Sequence, residues 1–470
     1  MKRLGSIFFF AAAIFGSPVN PVLAQEKGTV DLWLTKPDRS ALFAQQPALS
    51  FTETAAAGPV IEVNEKQVYQ PIDGFGFALT GGSAMHLVRM SADKRAALLK
   101  ELFAYDEKNI GISYLRLSIG ASDLNEKVFT YNDLPQGQTD PEMKKFDLGL
   151  DRADVIPVMK EILAINPKIK VLGSPWSPPE WMKTSFDARG GMLRPEYFGA
   201  YAKYLARYIK DMKAEGITID AITVQNEPLH PGNNPSLLMP APDQAIFIKQ
   251  YLGPLFRAEE IKTKIIIYDH NADRPDYPIS ILDDPEARKY VDGSGFHLYG
   301  GTIDALSDVH NAHPDKNIYF TEQMVTERPN SQQLNIGSPV RRLIIGATRN
   351  WSRNVLEWNL AADPQNRPFT DRGGCPSCQG AVTIDKDLVT RNVAYYSVAH
   401  ASKFVRPGSV RIASPEPENL PNVAFKTPDG KKVLIVCNAG QAAQVFAIRY
   451  QGKTAAATLE RGAVATYVWK

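Results

Sequence analysis

Between residues 71 and 405, short β-forming runs alternate with helical segments, and this alternation constrains the fold more than any other feature. The runs fall near 72–77, 112–119, 169–174, 221–227, 264–269, 293–299, 317–322 and 354–359, each followed by a helical stretch. Eight β/α units in sequence predict an α/β fold, a closed (β/α)8 TIM barrel rather than a doubly wound sheet. Ser91 stands where it can cap a helix carrying Leu98, Leu99 and Leu102. Pro195 fits the first turn of a longer helix whose Phe198, Tyr201, Leu205 and Ile209 recur at helical spacing.

The two ends of the chain read differently. Strand patterns at 30–34 and 60–63 precede the barrel. After it, VAFKTPDGKKVLIVCNAG is a hairpin turning at Asp429-Gly430, and strand patterns return at 445–450 and 463–469. A chain that is β-rich at both ends predicts one side β-sandwich assembled from both. The expected division is a signal peptide at 1–24, N-terminal sandwich strands at 25–70, the barrel at 71–405 and C-terminal sandwich strands at 406–470.

The signal peptide rests on Lys2 and Arg3 before the apolar run 7–15, with Val22-Leu23-Ala24 ending in a small residue. That run is too short to span a bilayer, so cleavage near Ala24 and a secreted or periplasmic protein are expected, without stable membrane insertion. Removing the two basic residues of the signal from 53 Lys+Arg leaves 51, against 51 Asp+Glu. A neutral mature chain disfavours nucleic acid and strongly anionic polymers as partners and suits a neutral sugar. In GGCPSCQG, Cys375 and Cys378 favour a short disulfide in an exported protein, with two free thiols as the alternative. A zinc half-site there lacks a second pair or a nearby histidine, and Cys437 in KVLIVCNAG reads as a core thiol.

Chemistry concentrates at the ends of the candidate strands. ITVQNEP closes the fourth with Asn226 and Glu227, and NIYFTEQM closes the seventh with Glu322. Two carboxyls on facing strand ends are what glycosidic bond cleavage requires. Asn226 is placed to hydrogen-bond a sugar 2-hydroxyl. SPWSPPEW puts Trp176 past the third strand, where an indole can stack on a pyranose. RLSIGASD puts Arg116 in the second strand and Asp123 just past it, HLY puts His297 and Tyr299 on the sixth, and EWN puts Trp358 on the eighth. Seven histidines without HExxH or HxH spacing give no reason to expect a metal, and no cofactor is called for. The reading from another class is a non-catalytic carbohydrate-binding barrel, for which neither glutamate would be needed.

Taken in order, IDGFGFALTGGSA, YLRLSIGASD, VLGSPWSPPEWMK, ITVQNEP, GFHLY, YFTEQ and LEWNLA resemble the motifs of glycoside hydrolase family 30. This is the glucosylceramidase family, which also includes β-1,6-glucan-cleaving enzymes. The resemblance implies a (β/α)8 barrel with a side β-sandwich, and retention of anomeric configuration. It makes Glu227 the acid/base and Glu322 the nucleophile, with Arg116 and Tyr299 supporting the nucleophile and Asn226 on the 2-hydroxyl. Asp123, Trp176 and Trp358 match the sugar-binding subsite, and His297 a histidine near the catalytic pair. Leu298 stands where glucosylceramidases often carry tryptophan, Gln323 replaces a small residue, and the CPSC loop borders the pocket mouth. These departures touch the leaving-group side. The expected substrate is β-1,6-glucan or a related neutral β-glucoside, with glucosylceramide as the alternative.

Overall fold

The computed structural model describes residues 28–54, 57–106, 108–328 and 331–470. The expected signal peptide lies outside the described residues. Four strands open the chain: β1 (Thr29–Thr35), β2 (Ala44–Ser50), β3 (Val60–Glu62) and β4 (Asn64–Pro71). The barrel follows as β5 (Gly74–Leu79), β6 (Tyr114–Ile119), β7 (Lys170–Pro175), β8 (Ala221–Thr223), β9 (Lys264–Ala272), β10 (Val291–Gly301), β11 (Asn317–Glu322) and β12 (Ser352–Glu357). All eight expected strands are present and pair in parallel, and β12 returns to β5 to close the ring.

The strands are apolar on both faces because both are covered, as a parallel sheet demands. Outward residues such as Leu115, Leu117, Val171 and Ile265 pack under the helices. Inward, Tyr114, Leu172, Ala221, Ile266, Tyr319 and Leu356 form a separate layer that fills the barrel lumen. That layer leaves the C-terminal end as the place where polar side chains can gather.

Two local expectations need adjustment. Ser91 does precede the helix Ala92–Phe103, but its hydroxyl donates to Asp93 Oδ1 at 2.9 Å and caps no helix amide. Pro195 begins a 3-10 turn, Pro195–Tyr197, that leads into the helix Phe198–Ala214.

After the barrel come a small sheet of β13 (Ala361–Ala362), β14 (Val382–Asp385) and β15 (Leu388–Arg391), then β16 (Val410–Ala413), β17 (Asn422–Lys426), β18 (Lys432–Cys437), β19 (Gln444–Tyr450), β20 (Lys453–Leu459) and β21 (Val464–Trp469). A seven-stranded sheet runs β2-β1-β21-β18-β17-β16-β4, and a second sheet runs β20-β19-β3. Both therefore mix strands from the two chain ends. Their shared core includes Val30, Ile61, Leu434, Phe446, Ile448 and Trp469. Among the described residues no helix is long and apolar enough to cross a membrane.

Candidate active site

The site forms where β6 to β12 end, and its centre is Arg116. This guanidinium is fully buried and donates to Glu322 Oε2 (2.5 Å), Asp269 Oδ2 (2.8 Å), Asn226 Oδ1 (2.8 Å) and Ser174 Oγ (3.1 Å). One cation thereby fixes side chains from β7, the end of β8, β9 and β11. Asn226 spends its carbonyl on Arg116, which leaves its amide N–H groups as the donors available to a ligand.

Glu227 is presented by strained backbone. β8 stops at Thr223, yet Val224, Asn226 and Glu227 still donate their N–H groups to Ile266, Pro175 and Asp269 carbonyls on the flanking strands. Glu227 itself has φ +43°, the left-handed region that a side chain with a Cβ rarely adopts. Such strain, held by neighbouring structure, is characteristic of a working position.

Glu322 accepts from two donors, Arg116 and the Tyr299 hydroxyl (3.0 Å). The Tyr299 oxygen in turn accepts from the Met324 N–H at 2.9 Å. Glu227 accepts from His297 Nδ1 at 3.1 Å, while His297 Nε2 lies 3.1 Å from Asp269 Oδ1. One oxygen of Glu227 and one of Glu322 lie within 4.8 Å of each other.

Charge balance follows from these contacts. Burial would raise the Asp269 carboxyl, but Arg116, His297 and Thr321 hold it well below the usual carboxylate range. Burial would lower the His297 imidazole, but Glu322, Asp269 and Glu227 outweigh it and lift the pKa to about 9. Asp123 is pushed well above the carboxylate range by burial and by Glu322 and Glu227, which favours its protonated form. Three carboxylates, Glu227, Asp269 and Glu322, then face two cations, Arg116 and His297. One negative charge is left over on the group, shared between Glu227 and Glu322. Burial and the facing carboxylates raise Glu322, whereas the His297 contact draws Glu227 down despite its burial. The two titrate as one unit, and the unequal number of donors makes them chemically distinct.

His297 yields a pH prediction. Its pKa is raised from 6.5 to about 9, so its contribution to stability is complete below about pH 6.5 and is lost as pH rises through about 9. Melting temperatures of the wild type and His297→Gln should therefore converge across that window. Parallel curves would overturn the assignment of the imidazolium.

Glu227, His297 and Glu322 are close enough to be considered as metal ligands. The chemistry opposes it, because both ring nitrogens of a protonated His297 carry hydrogen and offer no lone pair. Glu322 is already engaged by a guanidinium.

The remaining expected residues line the walls. Trp176 and Trp358 pack with ring centroids 5.3 Å apart, and Arg116 lies 4.8 Å from the Trp176 centroid. They are 2% and 3% exposed, which makes them a wall rather than an open stacking platform. Asp123 Oδ1 is buried without a hydrogen-bond partner, as a group waiting for a ligand hydroxyl would be. Cys375 and Cys378 are joined by a disulfide, and Cys378 Sγ lies 3.4 Å from Met324 Sδ.

Sequence reasoning gave no role to Asp269, Ser174, Thr321 or His270. Asp269 accepts from Arg116, Ser174, Thr321 and His297 together. Its signal was the abrupt change from Ile265-Ile266-Ile267 to Asp269-His270-Asn271 at a strand end. His270 is kept neutral, its pKa lowered by burial to about 4, and its ring lies parallel to His297 at 6.4 Å.

The chain matches the Glycosyl hydrolase family 30 TIM-barrel domain over residues 72–405 and the family 30 beta sandwich domain over 408–467. An endo-1,6-beta-D-glucanase of Aspergillus fumigatus is 32% identical over 394 residues, 78% of each chain. One of Neurospora crassa is 32% identical over 418 residues, 85% of each chain. The lysosomal acid glucosylceramidase of Mus musculus is 27% identical over 439 residues, covering 88% of this chain and 84% of that one. A solved endo-beta1,6-glucanase superposes with a TM-score of 0.86 at 33% identity, over 94% of this chain and 99% of that chain.

Proposed function

The chain belongs to glycosyl hydrolase family 30, and from that premise we propose that it hydrolyses β-1,6-glucan or related β-glucosides by double displacement. The observation that carries the mechanism is the separation of at most 4.8 Å between oxygens of Glu227 and Glu322. Retaining enzymes hold their two carboxyls roughly 5–5.5 Å apart, whereas inverting ones leave about 6.5–9.5 Å for a water.

In this reading Glu322 is the nucleophile. Arg116 and Tyr299 stabilise its anion and aim one oxygen at the anomeric carbon. For the first step the pair's proton has to stand on Glu227, the reverse of the order that the His297 contact and the raised Glu322 favour without substrate, and it passes to the glycosidic oxygen as that bond breaks while Glu322 forms a glycosyl ester. The Glu322 charge has then gone, so Glu227 becomes more acidic and stays ionised. It next takes a proton from water, the hydroxide attacks the anomeric carbon, and Glu322 departs as a carboxylate. Asn226 donates to the 2-hydroxyl, and Asp123 and the indoles of Trp176 and Trp358 border the sugar.

Substrate preference rests on the same walls. In the loop after Glu227, the apolar cluster is Leu237, Leu238 and Met239; Leu237 and Met239 are buried and Leu238 is half-buried, so most of it is spent on the core rather than offered to a lipid. We expect a β-1,6-gluco-oligosaccharide to be cleaved with kcat/KM roughly 30- to 150-fold above that for glucosylceramide in detergent. The first product should carry the β-anomer, read by NMR before mutarotation. Equal rates on the lipid would overturn the preference, and an α-anomer would overturn the mechanism. The N-terminal 24 residues are read as an export signal, and N-terminal sequencing of the protein recovered outside the cytoplasm tests that.

A further inference from the structure

Lys183 is fully buried, and among the described residues no carboxylate pairs with it. Its ammonium donates instead to Ser177 Oγ (2.8 Å), the Ala188 carbonyl (2.6 Å) and the Ser236 carbonyl (2.8 Å). Three donors meet three acceptors, so the ammonium is hydrogen-bonded without a carboxylate in contact, while burial lowers its pKa to about 7 against the pull of the more distant Asp187 and Glu180. The acceptors come from different places. Ser177 begins the loop after β7, Ala188 lies near its far end, and Ser236 belongs to the loop that follows Glu227. A buried amine with no carboxylate in contact is an expensive way to tie loops, which points to a use beyond stability.

Backbone links complete the tie. Ser236 N–H donates to the Ala188 carbonyl, Gly190 N–H to Ser236 Oγ, and Leu238 N–H to the Gly191 carbonyl. Arg372, in the loop between β13 and β14, pairs with Asp187 at 2.9 Å. Between these anchors the chain exposes one large apolar side chain, Phe186, 60% exposed and with φ +49°. The Arg194 guanidinium lies 5.3 Å from its ring centroid. A strained backbone at an exposed aromatic is unexpected where folding is the sole requirement.

We propose that segment 177–193 is the leaving-group platform of the cleft, fixed at its base by Lys183 and offering Phe186 to the glucosyl unit beyond the cleaved bond. The inference rests on Glu227 as the acid. A proton donor stands beside the departing oxygen, so the loops bonded to its own loop border the departing chain. A pyranose presents an apolar C–H face that an aromatic ring covers well, and a ring already held in place loses little freedom on contact. Lys183 is a positioning residue in this arrangement, and Phe186 is the contact.

The test compares kcat/KM for β-1,6-glucotetraose with that for an activated aryl β-glucoside, which has no sugar on the leaving side. Phe186→Ala alters a surface residue, so the fold is retained. It should lower the tetraose-to-aryl ratio about 10-fold, mainly through KM. Lys183→Met, with its melting temperature followed in parallel, should lower the same ratio by about 10-fold or more. An unchanged ratio in Phe186→Ala would overturn the platform. So would a Lys183→Met variant that slows both substrates equally. Aryl glucoside turnover by the wild type is scored separately and bears on the catalytic reading alone.

Discussion

Replacing Glu322 by glutamine is expected to reduce turnover roughly 10⁴- to 10⁶-fold, because in the proposed mechanism this carboxylate forms the glycosyl ester. Glu227→Ala should behave differently. On substrates with poor leaving groups it should lose about 10²- to 10⁴-fold, the usual worth of a positioned acid. On an activated aryl glucoside the first step needs no proton, so the loss falls on deglycosylation. Azide then fits the space left by the carboxylate and attacks the glycosyl-enzyme without a base. The rescued product of Glu227→Ala should be the β-azide, with configuration retained, and azide acting on Glu322→Ala should give the inverted α-azide. Product NMR decides, and the opposite pairing would require the two roles to be exchanged.

Arg116→Met should be the most damaging change to the framework of the site. The guanidinium and the Asp269 carboxylate are both completely buried, and Glu322 nearly so. Removing the cation leaves two buried carboxylates facing each other without it, a loss of about 3–5 kcal/mol for a truncated buried pair. Chemical denaturation of the full chain measures this. The acidic limb of any residual activity should also move to higher pH, because a Glu322 without its cation ionises less readily. Arg116→Lys keeps the charge but cannot reach two carboxylates in a fixed fork, so it should fall between wild type and methionine. Unchanged stability together with an unmoved acidic limb would remove Arg116 from its central place.

The barrel was legible because each strand is a short apolar run with a polar end, and that pattern survives whatever the tertiary details are. The positions of Glu227 and Glu322 were legible for the same reason, since a carboxylate has little cause to end a buried strand. Asp269 was not. Tyr268 and Asp269 have φ +70° and +63°, and the pairing of β9 with β10 slips between Gly295 and Phe296. A bulge of this kind re-aims a side chain, and neither periodicity nor composition announces it. Tryptophan burial was equally hidden, because the same indole can be a wall or a platform depending on what lies over it. Ser91 shows a smaller version of the limit, since an acidic neighbour competed successfully for its hydroxyl.

The long sheet of the sandwich places β21 between β1 and β18, with Asp31 opposite Val468 and Thr35 opposite Val464. β1 therefore waits until β21, on the far side of the whole barrel in the sequence, has been made before its central neighbour exists. Such distant pairing closes late and leaves an open edge in the meantime, a hazard during synthesis. Removing Val464–Trp469 would split the sheet at its interior and leave β1 and β2 on their own, because this strand is hydrogen-bonded on both sides.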